Sequence, residues 1–147
     1  MAKRKKVGTL PQFVPMLHQT MDCEAWQALT PPAKALYPFI KRRAGHHGAS
    51  NGAVICSVRE AAGYLGVHKD TAARALQDLQ RKGFIVAVHV GCLGINGEGK
   101  ATTWRLTEMG AFGEHRPSKE FERWSPGNDY PVAEGKRHAA LKQNPVL

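Results

Sequence analysis

A glycine at position 66 separates two short amphipathic segments, and that spacing constrains the fold more than any other stretch of the chain. Residues 57–83 read SVREAAGYLGVHKDTAARALQDLQRKG. Ser57 followed three residues later by Glu60 is a capping box: the serine oxygen takes one orphan amide and the glutamate reaches back for another. Val58, Ala61, Ala62 and Leu65 then recur at i, i+3, i+4 and i+7, which places them on one face of a helix. Gly66 supplies the left-handed residue that ends such a helix. A second helix begins near Lys69, buries Ala72, Ala75, Leu76 and Leu79 on the same period, and stops at Gly83. Small alanines where the two helices cross allow a close, steep packing. This is the geometry of a helix-turn-helix, in which the second helix is pushed outward toward a DNA groove.

The flanks extend the pattern. Thr30-Pro31-Pro32 reads as a helix start, with the Thr30 hydroxyl as cap and proline where its missing amide costs nothing. Ala33, Leu36, Tyr37 and Ile40 form that helix's buried stripe. Pro38 lies inside it, where the loss of a backbone bond is expected to kink or split the helix. Lys41, Arg42 and Arg43 crowd its last turn, favourably placed against the helix dipole. Ahead of it, Phe13 to Met21 reads as a strand or turn packing beneath the helix. The run Ala53-Val54-Ile55-Cys56 is a short strand. After Gly83, FIVAVHV alternates and is rich in β-branched residues, so it reads as a strand. The glycine-rich GCLGINGEGK and the strand ATTWRLT follow, with Trp104 and Leu106 on one face. The order helix, strand, helix, helix, strand, loop, strand predicts an α+β fold of the winged helix-turn-helix type: a three-helix core with a β-hairpin wing.

At 147 residues, one domain with tails is the natural organisation. The expected division is a basic arm over 1–12, a winged domain over 13–107, and an extended tail over 108–147. Phe121 and Trp124 serve as anchors for the tail, and a short helix is weakly signalled over Val132–Lys142. Lysine and arginine number 21 against 12 acids, a net charge of +9. Residues 1–107 hold 15 of the bases and 6 of the acids, while residues 108–147 hold 6 of each. The positive field therefore lies on the segment with the two helices, where a polyanion would bind.

Other chemistries find little support. Cys23, Cys56 and Cys92 are odd in number and widely spaced, without a zinc or disulfide pattern. Cys56, in an apolar run, reads as core. His46 and His47 sit in a Gly-rich loop and are read as solvated, so no metal or other cofactor is assigned. Gly91, Gly94, Gly97 and Gly99 could be imagined around phosphates. However, the Walker lysine-serine pair and the strand-loop-helix context are missing, and glycines at a wing tip explain them. No nucleophile, base and orienting group converge, and an enzyme is not expected. MAKRKKVG has no apolar core of a signal peptide and no apolar run has membrane-spanning length, so the expected location is the cytoplasm, on the nucleoid.

The stretches EAWQALTPPAKALY, SNGAVICSVREAAGYLGVHKDTAARALQDLQRKGFI and TTWRLTE, with SKEFERW later, also carry a family resemblance. Over roughly residues 13–124 the chain resembles a largely uncharacterised group of winged helix-turn-helix proteins of α-proteobacteria, often found with mobile elements. That group is related in fold to the winged domains of plasmid and phage replication initiators. The resemblance implies a DNA-binding fold. Pro38 departs from the group's pattern.

The outward residues of the second helix are then the candidate DNA contacts: Lys69, Asp70, Thr71, Arg74 and Gln77. Lys69 and Arg74 suit guanine acceptors, Gln77 suits adenine, and Asp70 is either an acceptor for cytosine or a first-turn carboxylate stabilising the helix. His68 is either a helix cap or a phosphate contact. Arg59 and Lys100 are candidate backbone clamps. Lys3, Arg4, Lys5 and Lys6 either track phosphates, as basic arms do, or form a solubilising tail. Two classes of function stay open: sequence-specific binding of double-stranded DNA, as a transcription regulator or a replication or mobile-element accessory factor, and protein contact through the same winged scaffold. A homodimer would give the first class two spaced half-sites.

Overall fold

The computed structural model describes residues 10–91, 101–110 and 116–133. Its elements run α1 (His18–Asp22), α2 (Glu24–Gln27), α3 (Pro31–Arg43), a 3-10 turn (His46–Gly48), β1 (Val54–Ile55), α4 (Val58–Leu65), α5 (Lys69–Arg81), β2 (Ile85–His89), β3 (Thr103–Leu106) and a second 3-10 turn (Glu120–Arg123). The order is that of a winged helix-turn-helix. None of the described helices is long and apolar enough to cross a membrane.

The three long helices enclose the core. Ala33, Leu36, Tyr37 and Ile40 of α3 are fully buried, as their spacing requires. Pro38 does not split the helix, which runs unbroken from Pro31 to Arg43. Proline removes one backbone bond, and burial of Tyr37 and Ile40 on either side holds the turn together. The start of α3 differs from expectation. Thr30 occupies the cap position, but its side chain makes no capping bond. Its amide instead donates to Asp78 Oδ2 on α5 at 2.8 Å, so a long-range partner takes the place of a local cap and ties two helices together.

In α4 the capping box is half formed. Glu60 donates its amide to Ser57 Oγ at 3.1 Å, while the Glu60 carboxylate turns away to pair with Arg43. Gly66 ends the helix in the left-handed region with φ of 68° and returns its amide to Ala62 O at 2.9 Å. Ala61 and Ala62 of α4, and Ala72 and Ala75 of α5, are all buried. With no side chain beyond Cβ, they let the two backbones approach.

The sheet is antiparallel with strand order β1-β3-β2. Trp104 and Leu106 of β3 are buried on its inner face, and Trp104 Nε1 donates to Cys56 O at 3.0 Å. Asn51 is a buried clamp between the turn before β1 and the end of β3. It accepts from the Leu106 amide at 2.7 Å, and its Nδ2 donates to Leu106 O at 2.9 Å and Met109 O at 3.0 Å.

Aromatic rings fill the space between α2, α3 and β2. Trp26, Tyr37 and Phe84 meet edge to face, with centroids 5.4–5.7 Å apart. Phe121 and Trp124 belong to the same core. Burying each contributes roughly 2–3 kcal/mol before the entropy of ordering the segment is subtracted. Val132 and Ala133 are not helical, and the rest of the helix expected over Val132–Lys142 lies outside the described residues.

The residues from Phe13 to Met21 correct the sequence reading. No strand forms. An irregular segment leads into helix α1, and Phe13, Leu17 and Met21 stay exposed. Met16 packs on the core and Thr20 is buried. The segment is held by Lys41, which is buried rather than projecting from the last turn of α3. Its Nζ donates to Pro15 O at 2.6 Å and to Glu108 Oε1 at 2.7 Å. The other oxygen of Glu108 accepts from Tyr37 OH at 2.5 Å. Burial, and then the Glu108 charge, push the Tyr37 phenol well above its ordinary pKa.

Candidate nucleic-acid interface

Helix α5 has two unlike faces. Ala72, Ala75, Leu76 and Leu79 are sealed in the core. Two polar residues are buried with them, both unanticipated from the sequence. Asp78 accepts from the Thr30 amide and takes Lys82 Nζ at 2.7 Å. Gln80 donates to Leu76 O at 3.2 Å and accepts from the Ala133 amide at 2.9 Å. Side chains that bond to fixed partners on both flanks hold the helix in one orientation, which a reading element needs.

The opposite face is open. Lys69, Asp70 and Arg74 are exposed, and Thr71 and Gln77 are half-buried. His68 occupies the cap position, and its Nδ1 accepts from the Asp70 amide at 3.3 Å. The same nitrogen lies 3.5 Å from Asp70 Oδ2. His68 is thus a cap in this structure, and Asp70 is a first-turn carboxylate beside it. Arg74 turns back toward the N-terminus, as long helical side chains do, and its Nε donates to Asp70 O at 3.3 Å. That bond uses one of the five guanidinium donors. Lys69 lies in the first turn and Arg74, one turn on, reaches back toward it, so both are near the partial positive charge of the helix dipole, a favourable place for a phosphate or a base acceptor.

Arg59 is exposed in the first turn of α4. Lys100 and the arm residues Lys3, Arg4, Lys5 and Lys6 lie outside the described residues. The base of the wing is formed by hydroxyls: the His89 amide donates to Thr103 Oγ1 at 3.1 Å and the Gly91 amide to Thr102 Oγ1 at 2.9 Å. A break in register between Ala87 and His89 marks a bulge there, and such bulges re-aim a strand end.

The sequence reading missed one cation on the open face. Arg81 is exposed in the last turn of α5, seven residues beyond Arg74. Two helical turns return it to nearly the same side. That interval was the available signal. Arg43, by contrast, is engaged elsewhere: it pairs with Glu60, donates to Ile55 O at 2.7 Å and lies 4.5 Å from the centre of the Phe39 ring.

Among the described residues, no group of three or more His, Cys, Asp or Glu side chains could hold a metal ion. Burial pushes the Cys56 thiol up to about 11, with nearby Arg43 opposing the shift. At neutral pH it is an unreactive, protonated core residue. No buried polar side-chain atom among the described residues is without a hydrogen-bond partner.

No curated protein and no solved structure matches the chain. Residues 27–85 match the family model of a helix-turn-helix domain. This stretch runs from the last residue of α2 to the first of β2, so it contains α3, α4, α5 and the turn at Gly66. The fold is that of a winged helix-turn-helix, with strands β1, β2 and β3 completing the three helices of this stretch.

Proposed function

We propose that this chain binds double-stranded DNA in a sequence-specific manner, with α5 in the major groove. The observation that carries the reading is the division of α5. Its inner face is locked by apolar burial and by Asp78 and Gln80, while Lys69, Asp70 and Arg74 are exposed on its outer face. Lys69 and Arg74 donate to guanine or phosphate oxygens, Gln77 reaches adenine further along the groove, and Thr71 bonds either base or backbone. His68, as the cap, shapes the first turn. Arg59 and, on the wing, Lys100 meet phosphates and set the register without reading sequence. The arm Lys3–Lys6 adds charge. The biological setting that suits such a reader is transcription regulation on the nucleoid, or an accessory role in replication or mobile-element maintenance.

Selection of bound duplexes from a random pool, followed by affinity measurement on the winner and on a scrambled duplex, tests the reading. A recovered consensus, lost in Arg74→Ala, supports it. Equal affinity for both duplexes, or no binding at low salt, overturns it.

A further inference from the structure

The last turn of α5 is held by residues that follow the sheet, far along the chain. The Tyr130 amide donates to Arg81 O at 2.9 Å, satisfying a carbonyl that a helix end leaves without an internal partner. The Ala133 amide donates to Gln80 Oε1 at 2.9 Å, across 53 positions of sequence. This brace is itself anchored. Tyr130 OH donates to Glu120 O at 2.7 Å, and Trp124, buried beside Lys82, donates its Nε1 to Asp129 Oδ1 at 2.9 Å. The brace also comes close to the helix end. At Gly83, where φ is 81°, an added Cβ would lie 2.7 Å from the Tyr130 ring.

Asp78 and Gln80 are two residues apart, about 200° around the helix, and so lie on opposite flanks of α5. Asp78 is tied to the Thr30 amide and Gln80 to the Ala133 amide. Two ties on opposite flanks resist rolling and sideways swing of the helix, which one tie alone does not. Packing does not duplicate the second tie. A cavity of about 390 Å³, lined by Gln80, Ile85, Ala87, Pro131 and Ala133, lies between the brace and β2. With that space beside it, the end of α5 can shift once the tie is cut. Base contacts need placement within about 0.5 Å and roughly 10–20°. Cations on flexible stems follow a phosphate through such a shift. Building on the DNA binding proposed above, we propose that Gln80 and residues 130–133 position α5 for reading bases. Selectivity among duplexes then depends on the Gln80–Ala133 bond, and general affinity for duplex does not. Gln80 is a positioning residue that itself touches no base.

Dissociation constants of the full chain on a selected duplex and on a scrambled one test this, at a temperature where every variant is folded by circular dichroism. Ala133→Pro removes the amide donor at an exposed position, and Gln80→Met removes the acceptor at similar size. Each should lower the ratio of the two affinities at least ~10-fold, as for a lost base contact. The scrambled duplex should stay bound within ~2-fold of wild type, since phosphate contacts carry no sequence information. Both variants cut the same bond, so the double variant should lose no more selectivity than either single one. Ala133→Ser keeps the amide and should keep the ratio. The proposal alone is overturned by a wild-type preference that survives Ala133→Pro, by a loss equal on both duplexes, by additive losses in the double variant, or by the same loss in Ala133→Ser. A wild-type chain with no preferred duplex overturns the DNA reading and this one with it.

Discussion

Phe121 lies flat on Phe84, the ring centroids 4.8 Å apart and the planes 8° from parallel. The contact joins the segment after the sheet to the first residue beyond the turn at Gly83, directly under the end of α5. Phe121→Ala should destabilise the chain by about 3–5 kcal/mol, as for a large core aromatic. Chemical denaturation checks this. A loss under ~1 kcal/mol would mean that the 3-10 turn at Glu120–Arg123 is not part of the folded body.

Lys41 and Glu108 form a buried pair 2.7 Å apart. Removing one partner strands a charge away from water, so Lys41→Met should cost about 3–5 kcal/mol. In the double variant Lys41→Met/Glu108→Gln the loss should be clearly less than the sum of the two single losses, because no charge is left unpaired. Additive losses in the double-mutant cycle would show that the pair is not coupled.

Asn51 places three bonds between its amide and backbone groups of Leu106 and Met109. Asn51→Leu is close in size and more apolar, yet it leaves buried backbone groups without partners. The expected cost is about 2–4 kcal/mol, read as a lowered melting temperature. A neutral or stabilising result would show that water replaces the amide.

Cys56 gives an alkaline signature. Its thiol titrates from an ordinary 9.0 up to about 11 in the folded chain. The folded state thus holds its proton where the unfolded chain has lost it. Stability should be unaffected below pH 9 and fall between pH 9 and 11, by about 2–3 kcal/mol at most. Cys56→Ala should remove that part of the decline when urea midpoints are compared across pH. Unchanged pH dependence in the variant would place the alkaline loss elsewhere, with the buried Tyr37 phenol next in line.

On DNA, Arg74→Ala and Lys69→Ala should each cost on the order of 1–3 kcal/mol on a preferred site and relax the choice at one base pair. Lys100→Ala should weaken all duplexes alike. With ~5–8 phosphates neutralised, log K against log salt should slope at roughly −4 to −7. Removal of residues 1–6 should flatten that slope without changing the preferred sequence. Retained selectivity in both α5 variants would put the wrong helix in the groove.

The two helices around Gly66 were legible because their signals are local: alanines and leucines at helical spacing, Ser57 before its helix, and a glycine where the chain must turn left-handed. The strands were legible for the same reason, and Phe121 and Trp124 were too large and apolar to stay in water. What could not be read depends on partners distant in sequence. Lys41 looked like a last-turn cation because Glu108 lies 67 residues away. The Thr30 hydroxyl looked like a cap because nothing nearby announced Asp78, 48 residues on. Asn51 sat in what read as a loop, with its sheet partner 55 residues further along. On the open face of α5, periodicity separated Lys69 and Arg74 from the buried alanines, but not the buried Asp78 and Gln80, whose polarity argued for exposure.

Thr107 Oγ1 donates to Gly83 O at 2.6 Å and the Thr107 amide to Phe84 O at 3.0 Å, and the Gly91–Thr102 bond lies further out. The chain entering β2 is thus clasped to the chain leaving β3 at one end of the hairpin, and the chain leaving β2 to the chain entering β3 at the other. Insertions or deletions in residues 92–100 would leave both clasps in place, and closing a loop twice as long costs only about 0.6 kcal/mol more. The length between β2 and β3 can therefore drift among descendants of this sequence while α5 keeps its orientation, so that, under the proposed function, reach along a duplex and choice of bases can evolve separately.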